Sequence, residues 1–201
     1  MNFLFEWHLK EGVQKIAEMT PELQSAWKKD DYNKIDLRVI GPKITLHLNG
    51  KLAHEVVSPR LSARGEIGWL VPPKYAELRV RNIQFQELQA EAVGKEWQSL
   101  FNGKDLEGWQ GAVDNYEVKD GAIVCKPGKG GNLLTKEEYA DFQARVEFKL
   151  PPGGNNGLAI RYPGTGDTAY TGMCELQVLD DNYDKVKGKI DVRQDACRHP
   201  V

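Results

Sequence analysis

Short runs in which apolar and polar residues alternate recur along almost the whole chain, cut apart by glycine, proline and asparagine: KIDLRVIG, KITLHLNG, KLAHEVV, GEIGWLV, AELRVRNIQFQEL, YEVK, GAIVCK, NLLT, FQARVEFKL, GLAIRY and GMCELQVLD. A period of two belongs to strands, whose successive side chains point to opposite faces, so the chain is read as many short antiparallel strands. Asn49-Gly50 sits between two such runs and suits a type I′ hairpin, which needs two residues at positive φ. Only Glu11 to Lys29 departs from this period. Its Val13, Ile16, Ala17, Leu23, Ala26 and Trp27 predict one helix broken at Thr20-Pro21, with Thr20 capping the second piece, Pro21 in its first turn and Leu23 facing inward. Many strands with one helical piece indicate an all-β sandwich preceded by a short N-terminal helical segment.

At 201 residues the chain suits one large domain better than two small ones, each short of core. A net charge of −2 supplies no basic face for phosphates, so nucleic acid is not an expected partner. No apolar run reaches the roughly 18 residues of a membrane helix, so no membrane span is expected. MNFLFEWHLKEG lacks a basic leader and a small-residue cleavage site, so it is not read as a signal peptide. Cys125, Cys174 and Cys197 lack metal-ligand or framework spacing and are read as buried or incidental thiols. QAEAVGKE, Gln89 to Glu96, is small and polar; it divides 1–89 from 97–201, with 90–96 as the linker.

In the second segment, EWQSLFNGKDLEGW, YEVKDGAIVC, NLLTKEEYADFQARVEFKLPPGGNNGLAIRYP and GMCELQVLDD follow one another in an order that closely resembles the 3-keto-disaccharide hydrolase family. This is the 3-keto-alpha-glucoside-1,2-lyase and 3-keto-2-hydroxy-glucal hydratase domain, long of unknown function. The resemblance implies a concanavalin A-like jelly roll, and leans toward a periplasmic or secreted protein if the start is truncated. In 1–89, DDYNKIDLRVIGPKITLHLNGKLAHEVV, GEIGWLV and LRVRNIQFQEL resemble the closing strands of the same domain, yet they precede its opening strands. The chain is therefore either a junction between tandem copies or a circular permutant, and a permutant should place the strand of Arg79 to Phe85 beside Ser99 to Asn102. The last residues, KIDVRQDACRHPV, lose the alternation and carry no family motif, as a truncated or frame-shifted end would.

The implied chemistry is cleavage of a glycoside oxidised at C3, through C2 proton abstraction, elimination and hydration. It calls for a base, a positive charge or metal at the enolate oxygen, and an acid for the leaving group. In CELQVLD, strand alternation puts Glu175 and Gln177 on one face, where they are either a solvated polar pair or part of a site; with the resemblance, Glu175 is the candidate base and Gln177 a sugar-hydroxyl partner. Arg161, after a glycine-rich turn, either steadies the enolate or pairs with a neighbouring carboxylate. Asn156 and Tyr162 are further candidate sugar contacts, as are Tyr170 and Tyr183. Asp180 and Asp181, with Asn182 and Asp184, either hold a divalent cation such as Ca²⁺ or form a turn through their own backbone; a Ca²⁺ site wants about six to eight oxygens, so weak affinity is expected. His47 should face solvent or a groove, while His8, His54 and His199 are isolated. Trp97, Phe101, Leu106 and Trp109 are spaced as core anchors. The expected substrate is an oxidised disaccharide or glycoside; a non-catalytic, lectin-like sugar-binding module and an inactive fragment are the alternatives. The sequence leaves the oligomeric state open.

Overall fold

The alternating runs become fifteen strands in two antiparallel sheets, seen in a computed structural model that describes residues 5–9, 12–15, 20–59, 61–73, 77–88, 96–165 and 174–180. In chain order they are β1 (Phe5–Leu9), β2 (Gly12–Lys15), helix α1 (Pro21–Ala26), β3 (Asn33–Ile40), β4 (Lys43–Leu48), β5 (Lys51–Val57), β6 (Glu66–Val71), β7 (Arg79–Glu87) and β8 (Gln98–Ser99). Then come β9 (Trp109–Gly111), β10 (Tyr116–Lys119), β11 (Ala122–Cys125), β12 (Gly131–Thr135), β13 (Phe142–Lys149), β14 (Asn155–Tyr162) and β15 (Cys174–Leu179). One sheet runs β2-β1-β15-β14-β6-β12-β9; the other runs β10-β11-β7-β13-β3-β4-β5, with β8 paired to β7. Among the described residues the protein is an all-β sandwich with one short helix, as the alternation predicts.

Strands from the two sequence segments alternate within both sheets. β6 lies between β14 and β12, and β7 between β11 and β13. Gln84 and Phe85 of β7 stand opposite Ser99 and Gln98 of β8, and the Leu100 amide donates to the Ile83 carbonyl at 2.8 Å. The neighbour relation expected between these segments is present, so the segments share one core. That core is built from one face of each sheet: Ile35, Leu37, Val39, Phe85, Phe142, Val146 and Phe148 from one, and Ile67, Trp69, Leu133, Leu158, Ile160, Leu176 and Val178 from the other. Burying each such side chain contributes about 1.5–3 kcal/mol before ordering costs.

The turns follow their residues. Asn49 and Gly50 have φ of 48° and 83°, as a type I′ hairpin requires, and the Asn49 side-chain Nδ2 donates to the Ala26 carbonyl at 2.7 Å and to Asn33 Oδ1 at 2.8 Å. Thr20 Oγ1 accepts from the Leu23 amide at 3.3 Å, Pro21 opens the helix, and Leu23 is buried. The first piece of the expected helix is corrected: Gly12–Lys15 is strand β2, paired with β1. A strand there satisfies its backbone against β1, and Pro21 denies any upstream helix a continuous run, so pairing overrides a weak helical spacing. Trp97 is corrected too. Phe101 and Trp109 are core residues and Leu106 packs against them, but the Trp97 ring lies 4.0 Å from the Arg145 guanidinium carbon. Cys125 is a buried free thiol, as read, and its burial raises its pKa. No described helix is long and apolar enough to cross a membrane.

Candidate functional site

β13 keeps the half-buried alternation of a sandwich strand, whereas all of β6 and all but the first residue of β14 are buried, so their outward side chains are recessed as well. Register identifies those side chains. Gln110, Leu134, Gly68, Ala159 and Glu175 form one row across β9, β12, β6, β14 and β15. Asn132, Leu70, Gly157 and Gln177 form the next. Leu70, Leu134, Ala159 and Tyr162 make a small apolar cluster separate from the core, so this is the face turned away from it.

Glu175 is 4% exposed, and its carboxylate lies over Gly157: a Cβ there would collide with Glu175 Oε1. A Cβ on Gly68 would likewise meet the Leu133 carbonyl and the Leu134 backbone, so glycine at these two positions admits the Glu175 carboxylate and the β12 backbone where a side chain would otherwise stand. His8 of β1 holds the register position opposite Glu175.

The β14–β6 register shifts between Ile160 and Tyr162, leaving Arg161 outside the ladder at φ 56°. The bulge does two things. It brings Tyr162 opposite Glu66 on the outer face, and it sends the Arg161 guanidinium to the end of the sandwich. There Nε donates to the Ala140 carbonyl at 2.8 Å, Nη1 to the carbonyls of Gly41 at 2.8 Å and Ser62 at 3.1 Å, and Nη2 to Asp141 Oδ1 at 2.8 Å. At 1% exposure, burial lowers its pKa and Asp141 opposes the shift. The salt bridge weighed for Arg161 in the sequence is thus the contact seen.

The remaining candidates divide. Gln177 holds the register position next to Glu175 on the same face. Tyr162 is also on that face. Asn156 is fully buried and stands opposite Val178, on the core-facing side, because strand alternation separates it from Gly157. Asp180 Oδ1 accepts the Gly153 amide at 2.8 Å and the Asp180 amide donates to Gly154, which is the turn-closing role. Asp181, Asn182, Asp184, Tyr170 and Tyr183 lie outside the described residues. His47 lines a groove of about 410 Å³ on the outer face of the other sheet, together with Asp36, Arg38, Lys43 and Glu55. That groove is laced by ion pairs, Arg145 to Asp36 at 2.9 Å and Lys43 to Glu55 at 2.7 Å, and holds none of the sugar-site candidates.

Two residues of the Glu175 face escaped the sequence reading. Glu66 is 8% exposed and accepts from Gln110 Nε2 at 2.7 Å. Burial, then the nearby Glu138 carboxylate, raise its pKa above the ordinary 4.5, against the Gln110 hydrogen bond. In the sequence Glu66 is merely the polar first residue of a strand; only the burial of both faces of β6 distinguishes it.

The 3-keto-alpha-glucoside-1,2-lyase-like domain matches residues 96–198, about half of the chain. The chain belongs to that family. A curated relative, the 3-keto-disaccharide hydrolase of Bacteroides thetaiotaomicron, is 28% identical over an alignment of 149 residues that covers 62% of this chain and 51% of the relative. The chain thus spans about half the length of this relative. The match covers the row from Gln110 to Glu175 except Gly68, which with Glu66 comes from the preceding segment.

Proposed function

We propose that this member of the 3-keto-alpha-glucoside-1,2-lyase-like family hydrolyses glycosides oxidised at C3, with Glu175 as the base. Supporting this is the recessed Glu175 carboxylate on a face floored by Gly157, Ala159 and Gly68. The C3 ketone acidifies C2–H. Glu175 takes the proton, the electron pair forms the enolate, and the C1–O bond to the leaving group breaks as the C1–C2 double bond forms. The leaving oxygen takes up a proton. Water then adds, hydroxyl to C1 and hydrogen to C2, so the net change is hydrolysis. In this reading Gln177, next on the same face of β15, bonds sugar hydroxyls, and Tyr162 supplies an aromatic edge to that face. Arg161 contributes by fixing the bulge that aims Tyr162 rather than by touching substrate.

The test compares wild type and Glu175→Gln on 3-keto-trehalose and trehalose. The variant keeps shape and hydrogen bonding but loses the base, so turnover of the keto sugar should fall by about 10² to 10⁴. The unoxidised sugar should be left intact by both. Full activity in Glu175→Gln removes Glu175 from the mechanism; binding without turnover by the wild type makes the chain a sugar-binding module.

A further inference from the structure

We propose that the groove on the outer face of the second sheet binds the oxyanion, carboxylate or phosphoryl, of a small polar molecule, with Arg38 as its principal contact. Glu175 lies on the other sheet, so this site is separate from the one assigned above.

Strand register arranges the polar side chains of the groove in two rows. Gln143 of β13, Arg38 of β3, Thr45 of β4 and Glu55 of β5 stand opposite one another across four adjacent strands. Arg145, Asp36 and His47 form the next row on β13, β3 and β4. Leu37, Leu46 and Ala144, which alternate with these residues, are buried in the core, so both rows face away from it. Directly opposed residues of neighbouring strands stand about 5 Å apart and diagonal ones about 7–8 Å, so Gln143 and His47 are both within reach of a group held at Arg38. The groove encloses about 410 Å³, inside the range of roughly 300–1,000 Å³ for small-molecule sites.

Charge decides what fits there. Asp36 is engaged twice, accepting from Arg145 Nε at 2.9 Å and standing 3.2 Å from Lys34 Nζ. Glu55 Oε1 lies 2.7 Å from Lys43 Nζ and accepts from Thr45 Oγ1 at 3.1 Å; the lysine first, then the threonine, hold this carboxyl below its ordinary range. Arg81, further along the same face, pairs with Glu147 at 2.8 Å. Arg38 makes no hydrogen bond or ion pair among the described residues, and Gln143 and His47 make no hydrogen bond. A merely solvated arginine is the ordinary state on an open strand. Here the arginine lines a groove beside two further donors without partners, and the acids of its own face are committed to other cations. Lys34, Arg38, Lys43 and Arg145 are four cations against the two carboxylates of Asp36 and Glu55, so the groove has positive charge to spare. A guanidinium fork matches two oxygens of a carboxylate or phosphate, and the Gln143 amide and an imidazole N–H add donors to them. Ile40, 42% exposed, also lines the groove and offers an apolar surface to the carbon skeleton that carries the anion.

The experiment measures, by calorimetry, the dissociation constants of glucuronate, glucose 6-phosphate and uncharged glucose for wild type, Arg38→Ala, Arg38→Lys and Glu175→Gln. Arg38 is exposed, so its variants should melt as the wild type does. Wild type should bind at least one of the charged sugars more tightly than glucose, and the tighter of the two identifies the carboxylate or the phosphoryl as the group held. Arg38→Ala should weaken that ligand by about 10 to 100-fold, as the loss of charge-assisted hydrogen bonds does. Arg38→Lys keeps the charge without the fork and should lose less. Glu175→Gln should bind as wild type does. Charged sugars that bind no more tightly than glucose, or an Arg38→Ala protein with wild-type constants, overturn the proposal. Binding lost in Glu175→Gln would put the anion on the other sheet and overturn it as well.

Discussion

Gly157 and Glu175 occupy the same space: the missing Cβ of Gly157 is what lets the Glu175 carboxylate lie down across β14. Gly157→Ala should therefore displace that carboxylate while keeping the strand, since alanine costs nothing in backbone conformation here. A displacement of about 1 Å at a reacting group is worth roughly 10²-fold. The expected result is a kcat on 3-keto-trehalose lower by about 10 to 100-fold, with a small change in Tm. Wild-type kcat in Gly157→Ala would mean that Glu175 works from a different position.

Arg161 should behave as a structural residue. Its three nitrogens serve three backbone carbonyls and Asp141 from the β3–β4 turn, the approach to β6 and the start of β13. Lysine keeps the charge but cannot reproduce the fork, and leaves buried carbonyls short of donors. Arg161→Lys should cost about 2–3 kcal/mol, lowering Tm by roughly 5–10 °C for a chain of this size. Thermal melts of the variant check this.

The raised pKa of Glu66 has a sign that melting can read. The folded state binds this proton more tightly than the unfolded state, so Glu66 contributes stability below the unfolded value near 4.5 and loses it as pH rises toward its folded pKa. Glutamine resembles the protonated form at every pH. The Tm of Glu66→Gln minus that of wild type should be near zero or negative at pH 4 and rise toward pH 7. A difference independent of pH would contradict a Glu66 carboxyl whose pKa is raised by burial.

Much of the fold was legible because strand alternation and turn chemistry are local. Asn49-Gly50 marks its hairpin and Thr20-Pro21 the start of α1. The stretch from Gly12 to Lys15 was misread because its apolar spacing is compatible with a helix and its pairing with β1 is a tertiary fact. The position of Glu175 on the outer face was legible in the alternation of CELQVLD. Glu66 and Gln110 were not, since their meeting depends on β6 lying between β14 and β12. Arg161 was visible as a residue but not as a clamp, because a bulge is invisible in a strand of otherwise regular alternation.

The interleaving itself predicts how the chain assembles. Removing 1–88 would strip β3, β4 and β5 from one side of β13 and β7 from the other, and would open a gap between β14 and β12 where β6 belongs. Ile35, Leu37, Val39, Trp69 and Phe85 would leave the core with them. Neither 1–88 nor 96–201 retains two faced sheets, so neither should melt cooperatively alone. Produced as separate chains and mixed, they should associate, because the β7–β13 and β6–β14 ladders supply extensive pairing without the intervening linker. Circular dichroism and gel filtration of each piece and of the mixture test this. Independent cooperative folding of 96–201 would show that the second segment builds its own core and that the shared sheets are not required for it.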